Sequence, residues 1–327
     1  MLKKNQNTRV TGIGAALIDL LINETDEFLK KFNKIKGGMT HHQNHEIENI
    51  LKQTSQKPVV VAGGAACNTI IGIGKLGGKA RFIGKRGNDK YGTLFENQLI
   101  KSNVEPLFDI SKTCTGKVLS VITPDFERSM FTHLGAASKF NSDQITSNMF
   151  KNTAIAVIEG YLVINYEFII SVLKKAKKAN SLICLDLSSF EVVESSKDIF
   201  KTIVKDYVDI LIANEDEAKA FTGFSNKEKA IKALSENVYI AVLKVGEKGS
   251  YICSNNKILK IKPKTNGKII DTTGAGDLWA SGFLFGIANG YSLEKSGEIA
   301  SLCGLEVCKV IGADIPEQGI KRIKKIC

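Results

Sequence analysis

The sequence predicts an α/β protein whose central, mostly parallel sheet is flanked by helices and carries a small β-strand lid. Three observations lead there. From about residue 150 onward, short apolar runs alternate with amphipathic segments. A glycine-rich turn at 271–277 opens directly into an apolar helical pattern. Two stretches, about 15–59 and 111–134, break the rhythm. Parallel strands need a crossover between them, and a helix is the usual one, so strand and helix patterns must alternate along such a chain.

Taken in order, a first strand leads into GIGAALID, and VVVAGGAACNTIIGIGKLGG at 59–78 runs from a strand through Gly63-Gly64 into a helix expected to begin near Asn68 and stop at Gly77-Gly78. TGKVLSVITPD and ERSMFTHL alternate as strands around a turn at Pro124-Asp125. TAIAVIEG, LICLDLS, VDILIAN and YIAVLKVG are buried strands, with YEFIISVLKKAKKAN a helix after the first of them. Residues 1–14, 60–110 and 135–327 are therefore assigned to an α/β core, and 15–59 and 111–134 to the lid. No fixed-period repeat suggests a solenoid or propeller.

A chain of 327 residues with 43% hydrophobic content buries a large core without disulfides or metals. The N-terminus lacks a sustained apolar segment with a cleavage site, and no run approaches the roughly 20 apolar residues a membrane span requires, so a cytoplasmic protein without membrane contact is expected. The seven cysteines are scattered and never spaced as paired ligands, which points to reduced thiols. The net charge of +11 raises nucleic acid as a partner, but the lysines sit in runs such as KKAKKAN without interleaved aromatics and read as solvated helix faces.

Asp271-Thr-Thr-Gly-Ala-Gly-Asp277 carries most of the chemistry. With Gly274 and Gly276 bare, phosphate oxygens can approach the backbone amides of the turn, and the helix N-terminus adds favourable charge. Asp277 then stands in the first helical turn, either as a base beside a held phosphoryl group or as an acid placed to suit the helix dipole. Asn214 and Glu217, three residues apart after VDILIA, either organise water around magnesium or form a helix-capping box. Asp19, at a strand exit, is a carboxylate able to bind ligand hydroxyls or simply to face solvent. Gly72, Gly74 and Gly77 satisfy GxGxxG, but they occupy a helix body and its stop rather than a strand-to-helix turn, so a dinucleotide fold is not expected.

DTTGAGD, GGAACN with FIGKRGNDKYG, and the order of these segments from about Val10 to Gly312 resemble the PfkB, or ribokinase-like, family of carbohydrate and nucleoside kinases. EGYLV at 159–163, PDFERSMFTHLGAA, NEDEAKAFTG and GEKGSY resemble its bacterial adenosine-kinase-like branch. The resemblance implies Asp277 as catalytic base and the amides of Gly274, Ala275 and Gly276 as an anion hole. It implies that Asp19, Gly63, Gly64 and Asn68 bind substrate hydroxyls, with Arg128 brought near the phosphates from the lid. Asn214, Glu217, Lys244, Gly246 and Thr273 would lie along the ATP site, Glu217 being associated with Mg²⁺. Asp271 and the loop around Gly312 would hold a monovalent cation such as K⁺. Cys67, Lys244 and Ala65 depart from the residues usual at their places.

The reaction expected from the resemblance is direct in-line transfer from ATP to a hydroxyl of an adenosine-like nucleoside, by a monomer or homodimer. A sugar kinase acting on ribose, fructose or a keto-sugar acid is the alternative, and a catalytically silent relative that binds nucleosides or nucleic acid is a third reading. Leu17, Leu134 and Tyr161 are candidates for a purine slot. Cys67, beside Asn68 at a helix start, is expected to border the pocket with its thiolate favoured by the helix dipole.

Overall fold

In the apolar runs after residue 150, successive side chains go to opposite sides. Ile155 and Val157 join one hydrophobic core and Ala156 and Ile158 the other, and Ile240 and Val242 part in the same way from Ala241 and Leu243. These strands are buried on both faces, which is why their sequences are continuously apolar. The computed structural model describes residues 8–32, 36–125 and 127–327. Residues 1–7 of the expected core, 33–35 of the expected lid and Phe126 beside the expected turn lie outside the described residues.

The strands are β1 (Val10–Ile13), β2 (Leu17–Asn23), β3 (Met39–His41), β4 (Val59–Gly63), β5 (Ala80–Gly87), β6 (Val104–Ser111), β7 (Thr115–Ile122) and β8 (Arg128–Gly135), followed by β9 (Ile155–Glu159), β10 (Leu182–Asp186), β11 (Ile210–Ala213), β12 (Ile240–Lys244), β13 (Ser250–Ser254) and β14 (Lys257–Ile261). Among the described residues nine strands form one sheet, in the order β14-β13-β12-β11-β10-β9-β1-β5-β6. Pairing is parallel from β12 to β6, and β13 and β14 add an antiparallel edge. The sheet winds outward in both directions from β1, so its switch point lies there.

The helices are α1 (Asp26–Lys30), α2 (Asn44–Gln53), α3 (Ala65–Leu76), α4 (Lys90–Lys101), α5 (Tyr166–Lys178), α6 (Phe190–Ser195), α7 (Lys197–Tyr207), α8 (Glu215–Thr222), α9 (Lys227–Leu234), α10 (Ala275–Ala288), α11 (Leu293–Val307) and α12 (Glu317–Lys324). α3, α4, α10, α11 and α12 contribute to the first core, and α5 to α9 to the second. Among the described residues no helix is long and apolar enough to cross a membrane, and all seven cysteines are free.

The five remaining strands form a second sheet, β3-β8-β7-β2-β4. β4 belongs to it through Gly63, so the boundary expected at residue 59 falls at the start of this strand. The stretch 15–59 is also not strand alone. α1 and α2 bury Phe28, Leu29, Ile47 and Ile50, and Phe28, Phe32 and Phe131 form a run of edge-on rings with centroids 5.1 and 6.4 Å apart. Each helix shows only a turn or two of apolar pattern, too little to announce itself against the neighbouring strands.

α3 begins at Ala65 rather than near Asn68. Gly64 has φ of 99°, a conformation that ends the strand and frees its carbonyl to accept the Asn68 amide at 2.9 Å, the first bond of the helix. This moves Ala65, Ala66 and Cys67 into the first turn.

Candidate active site

Period-two alternation fixes what stands at the C-terminal edge of the main sheet. Glu159 follows Val157 on one face of β9, Asp186 follows Cys184 on β10, Asn214 continues the face of Ile212 just past β11, and Lys244 follows Val242 on β12. All four therefore lie on the side of the sheet that carries α3 and α10. Adjacent strands place them in a row, with Glu159 directly paired to Asp186 in register. Strand ends near a topological switch point are where open α/β sheets bind ligands.

Asp277 faces this row from the first turn of α10. The turn before it needs glycine: Gly274 has φ of 70°, and a methyl there would stand 2.4 Å from the Ala313 Cβ. The amides of Ala275 and Gly276 thus open the helix without side chains large enough to cover them. Asn68, on α3, donates from Nδ2 to Asp277 Oδ2 at 2.9 Å, and Thr69 Oγ1 donates to the Asp277 carbonyl at 3.1 Å. Burial pushes the Asp277 pKa up to about 6 against the Asn68 hydrogen bond, with Asp186 adding to the rise and Lys244 opposing it.

Asp19 reaches the same space from β2. Its carboxylate lies over Gly63, where any Cβ would come within 2.4 Å of it. Burial raises Asp19 to about 6; Arg128 opposes the rise and Asp277 adds to it. Arg128, on β8, donates to Ser120 Oγ at 2.8 Å and contacts Thr273 Oγ1, while Thr273 Oγ1 donates to Asp271 Oδ1 at 2.7 Å. Asp271 Oδ2 accepts the Gly312 amide at 2.8 Å. One chain of polar contacts thus ties the small sheet to the glycine-rich turn and on to the Gly312 loop. Although burial opposes it, hydrogen bonds from Thr273 and Gly312 keep the Asp271 pKa below its usual value.

At the other end of the row, Asn214 and Glu217 form the complete capping box: Glu217 N donates to Asn214 Oδ1 at 2.9 Å, and Asn214 N to Glu217 Oε2 at 2.8 Å. Glu217 Oε1 accepts Asn214 Nδ2 at 2.7 Å, so both carboxylate oxygens are engaged. The capping reading is realised in geometry, and the buried Glu217 still faces the site. Burial raises its pKa, with Asp186 adding to the rise and Lys244 opposing it. Lys244 Nζ lies 3.0 Å from Asp186 Oδ2, and a methyl on Gly276 would stand 3.1 Å from that ammonium, so Lys244 borders the glycine turn. Burial works against its charge, yet Asp186, Glu217 and Asp277 together raise its pKa.

Two acidic residues escaped the sequence reading of the site, Glu159 and Asp186. Glu159, 3% exposed, accepts the Ala15 amide at 2.9 Å and the Ala66 amide at 3.1 Å, pinning the β1–β2 crossing to the start of α3. Burial lifts it to about 7 despite those two hydrogen bonds. The signal available was a charged residue closing an apolar strand run. Cys67 overturns an expectation: it is fully buried, and burial, with Glu159, Asp19 and Asp277 adding, raises its thiol pKa instead of favouring thiolate.

Leu17 and the Leu134 backbone both crowd Gly116, whereas Tyr161 stands on the turn after β9 with its hydroxyl 3.4 Å from the Ser188 carbonyl. Gly246 has φ of 55° in the turn after β12 and lines a cavity with Lys244 and Gly276. Among the described residues, no three His, Cys, Asp or Glu side chains are grouped so as to hold a metal ion. The hard oxygens of Asp186 and Glu217 fit Mg²⁺ only as a partial shell completed by water and phosphate.

The chain matches known proteins over most of its length. The profile described as pfkB family carbohydrate kinase matches residues 39–318. The chain is 25% identical to an adenosine kinase from Saccharomyces cerevisiae, across 95% of this chain and 98% of that protein. It is 28% identical to a 5-dehydro-2-deoxygluconokinase from Clostridium perfringens, across 73% of this chain and 75% of that one. Among solved structures, the adenosine kinase from Sinorhizobium meliloti superposes with a TM-score of 0.89 at 27% identity, covering 98% of this chain and 99% of the other.

Proposed function

The chain belongs to the pfkB family of carbohydrate kinases, and from that membership we propose that it transfers the terminal phosphoryl group of ATP to a hydroxyl of an adenosine-like nucleoside, with Asp277 as general base. The observation that carries the reading is the Asn68 to Asp277 hydrogen bond beside the glycine turn, which puts a carboxylate, a neutral donor and an amide nest within one small space.

The acceptor oxygen attacks the γ-phosphorus. A new O–P bond forms as the bond to the bridging oxygen of ADP breaks, and the acceptor proton passes to Asp277. Asp19, Asn68 and the bare backbone at Gly63 and Gly64 orient the acceptor, while the amides of Gly274, Ala275 and Gly276 receive the phosphoryl oxygens. Lys244 neutralises charge at the edge of that turn, and Asn214 positions Glu217. Mg²⁺, bound with the nucleotide, would neutralise phosphate charge, with Asp186 and Glu217 as the carboxylates that hold it through water. The carboxylate of Asp271, which draws the Gly312 loop to the turn, is where a monovalent cation such as K⁺ would act. The five-stranded sheet serves as the lid, and Arg128 links its closure to the phosphate site.

The adenosine-like acceptor is supported by the adenosine kinases among the relatives. The gluconokinase relative supports a second reading, in which the acceptor is a sugar such as ribose or fructose, or a keto-sugar acid. Comparing kcat/KM for adenosine, other nucleosides, ribose, fructose and a keto-sugar acid decides between them. A sugar that exceeds adenosine would overturn the nucleoside assignment and leave the phosphotransfer reading in place.

A further inference from the structure

Six residues other than glycine have positive φ among the described residues, and five of them are asparagines, which tolerate that conformation in turns. The sixth is Ser188, with φ of 66°, two residues beyond the end of β10 at Asp186. A serine in the left-handed region is strained and persists only where its surroundings fix it, and such residues cluster at functional sites. Four hydrogen bonds fix Ser188. Its Oγ accepts the Gly160 amide at 2.9 Å and donates to the Asp186 carbonyl at 3.1 Å. Its carbonyl accepts the Tyr161 hydroxyl at 3.4 Å, and its amide donates to Asp186 Oδ1 at 3.0 Å. The turns after β9 and β10 are thereby drawn together, so closely that a methyl on Gly160 would stand 2.3 Å from the Leu187 carbonyl oxygen.

The bond to Oδ1 reaches the site. With that oxygen held by the Ser188 amide, Asp186 presents Oδ2 to Lys244 Nζ at 3.0 Å, and the ammonium borders Gly276. The left-handed backbone is what permits this: Ser188 keeps its amide on Asp186 and its Oγ on the Gly160 turn while the chain swings away into α6, which is anchored by the buried Val193. If φ relaxed to an ordinary negative value with α6 in place, the peptide between Leu187 and Ser188 would have to rotate, and the amide would leave Oδ1.

We propose that Ser188 is a positioning residue for phosphoryl transfer: its left-handed turn, locked by the bond from Gly160, holds Asp186 so that Lys244 keeps its ammonium on the glycine turn. The proposal rests on the kinase reading above, which assigns the phosphoryl oxygens to that turn, and adds to it the residue that sets the place of the cation beside them. Ser188 itself touches neither the turn nor a ligand; it acts through Asp186 and Lys244.

The test uses the full chain and two small variants. Ser188→Ala and Ser188→Gly both remove Oγ, but glycine adopts positive φ without strain and alanine does not. Ser188→Ala should lower kcat, and weaken tripolyphosphate binding measured by calorimetry, by about 3- to 10-fold, the range for one hydrogen bond lost. Ser188→Gly should recover most of both. KM for the acceptor should stay unchanged in either, because Asp19 and Asn68 are untouched, whereas a general loosening of the fold would raise it. In a Lys244→Met background the alanine and glycine variants should bind tripolyphosphate alike, since the cation through which Ser188 acts is gone. If the chain phosphorylates an acceptor while Ser188→Ala matches the wild type, or while the alanine and glycine variants fall together, the positioning role is overturned and the kinase reading stands. Tripolyphosphate binding that separates alanine from glycine, with no phosphorylation of any nucleoside or sugar, would keep the positioning of Lys244 and remove the kinase reading. Binding that Lys244→Met leaves unchanged would put the anion on other lysines and overturn the role. Where Ser188→Ala fails to fold, Ser188→Gly decides against the wild type: a loss of several-fold would assign the effect to the hydroxyl instead of the backbone and overturn the proposal.

Discussion

Asn68 and Asp277, 209 positions apart in the chain, meet at 2.9 Å where the first turns of α3 and α10 face each other. The neutral amide holds one carboxylate oxygen in place and favours its charged form. Asp277→Asn removes the proposed proton acceptor while keeping the shape. The expected loss in kcat is about 10²- to 10⁴-fold, the usual span for a general base, with substrate affinity changed far less. Because Asp277 is a carboxylate disfavoured by burial, the variant should unfold no more easily than the wild type at pH 8. Near-normal turnover in the folded variant would reduce Asp277 to a first-turn helix acid.

The pH dependence follows from the same pair. A base must be unprotonated to accept a proton, so kcat/KM should rise with pH through about 6, the value to which burial lifts Asp277. Asn68→Ala removes a donor that stabilises the charged carboxylate. Its acid limb should move to higher pH, and its acceptor KM should increase. A limb that stays in place would show that the hydrogen bond does not tune the base.

Lys244 is the cation that faces Asp186, Glu217 and Asp277. Lys244→Met should leave these carboxylates uncompensated, lowering stability by about 3 kcal/mol, as removal of one partner from a buried pair generally does. It should also raise KM for ATP. Adding Asp186→Asn should restore much of the stability but not the KM, and urea unfolding with steady-state kinetics on the single and double variants separates the two effects.

Glu159 provides a stability test independent of turnover. Its pKa in the folded protein is about 7, above the ordinary glutamate value, so the folded state binds its proton more tightly. The resulting stabilisation is fully present below about pH 4 and is lost as pH rises through about 7. Relative to Glu159→Gln, the wild type should therefore lose stability between pH 5 and pH 8, by up to roughly 3 kcal/mol. A constant difference across that window would show that the carboxylate is not the titrating group.

What the sequence revealed and what it hid divide along physical lines. Strands β9 to β12 were legible because burial on both faces leaves an unbroken apolar run, and the turn at 271–277 because two glycines leading straight into an apolar helical pattern mark a turn that opens a helix, although the residues alone left Asp277 as either a base or a first-turn helix acid. α1 and α2 were not, since α1 is five residues long and α2, though ten, carries apolar residues only at Ile47, Ile50 and Leu51, too few to set a clear period. The start of α3 was misplaced because only the backbone at Gly64, not its identity, shows where the strand ends. The thiolate expected at Cys67 failed because helix position favours charge while complete burial opposes it more strongly. Glu159 and Asp186 were visible as letters, but their role depends on which strands lie side by side.

The alternation that places Glu159, Asp186, Asn214 and Lys244 on one face also makes these strands intolerant of changes in length. Deleting one residue within β9 would turn Glu159 towards the layer built from Phe168, Val172 and Leu173, because a slip of one reverses every side chain that follows. The carboxylate would then enter hydrocarbon, and Ala15 and Ala66 would lose their common acceptor. Point substitutions can therefore vary the chemistry of this edge one residue at a time, whereas single-residue insertions or deletions in these strands should be lost from any functional library together with the folded protein itself.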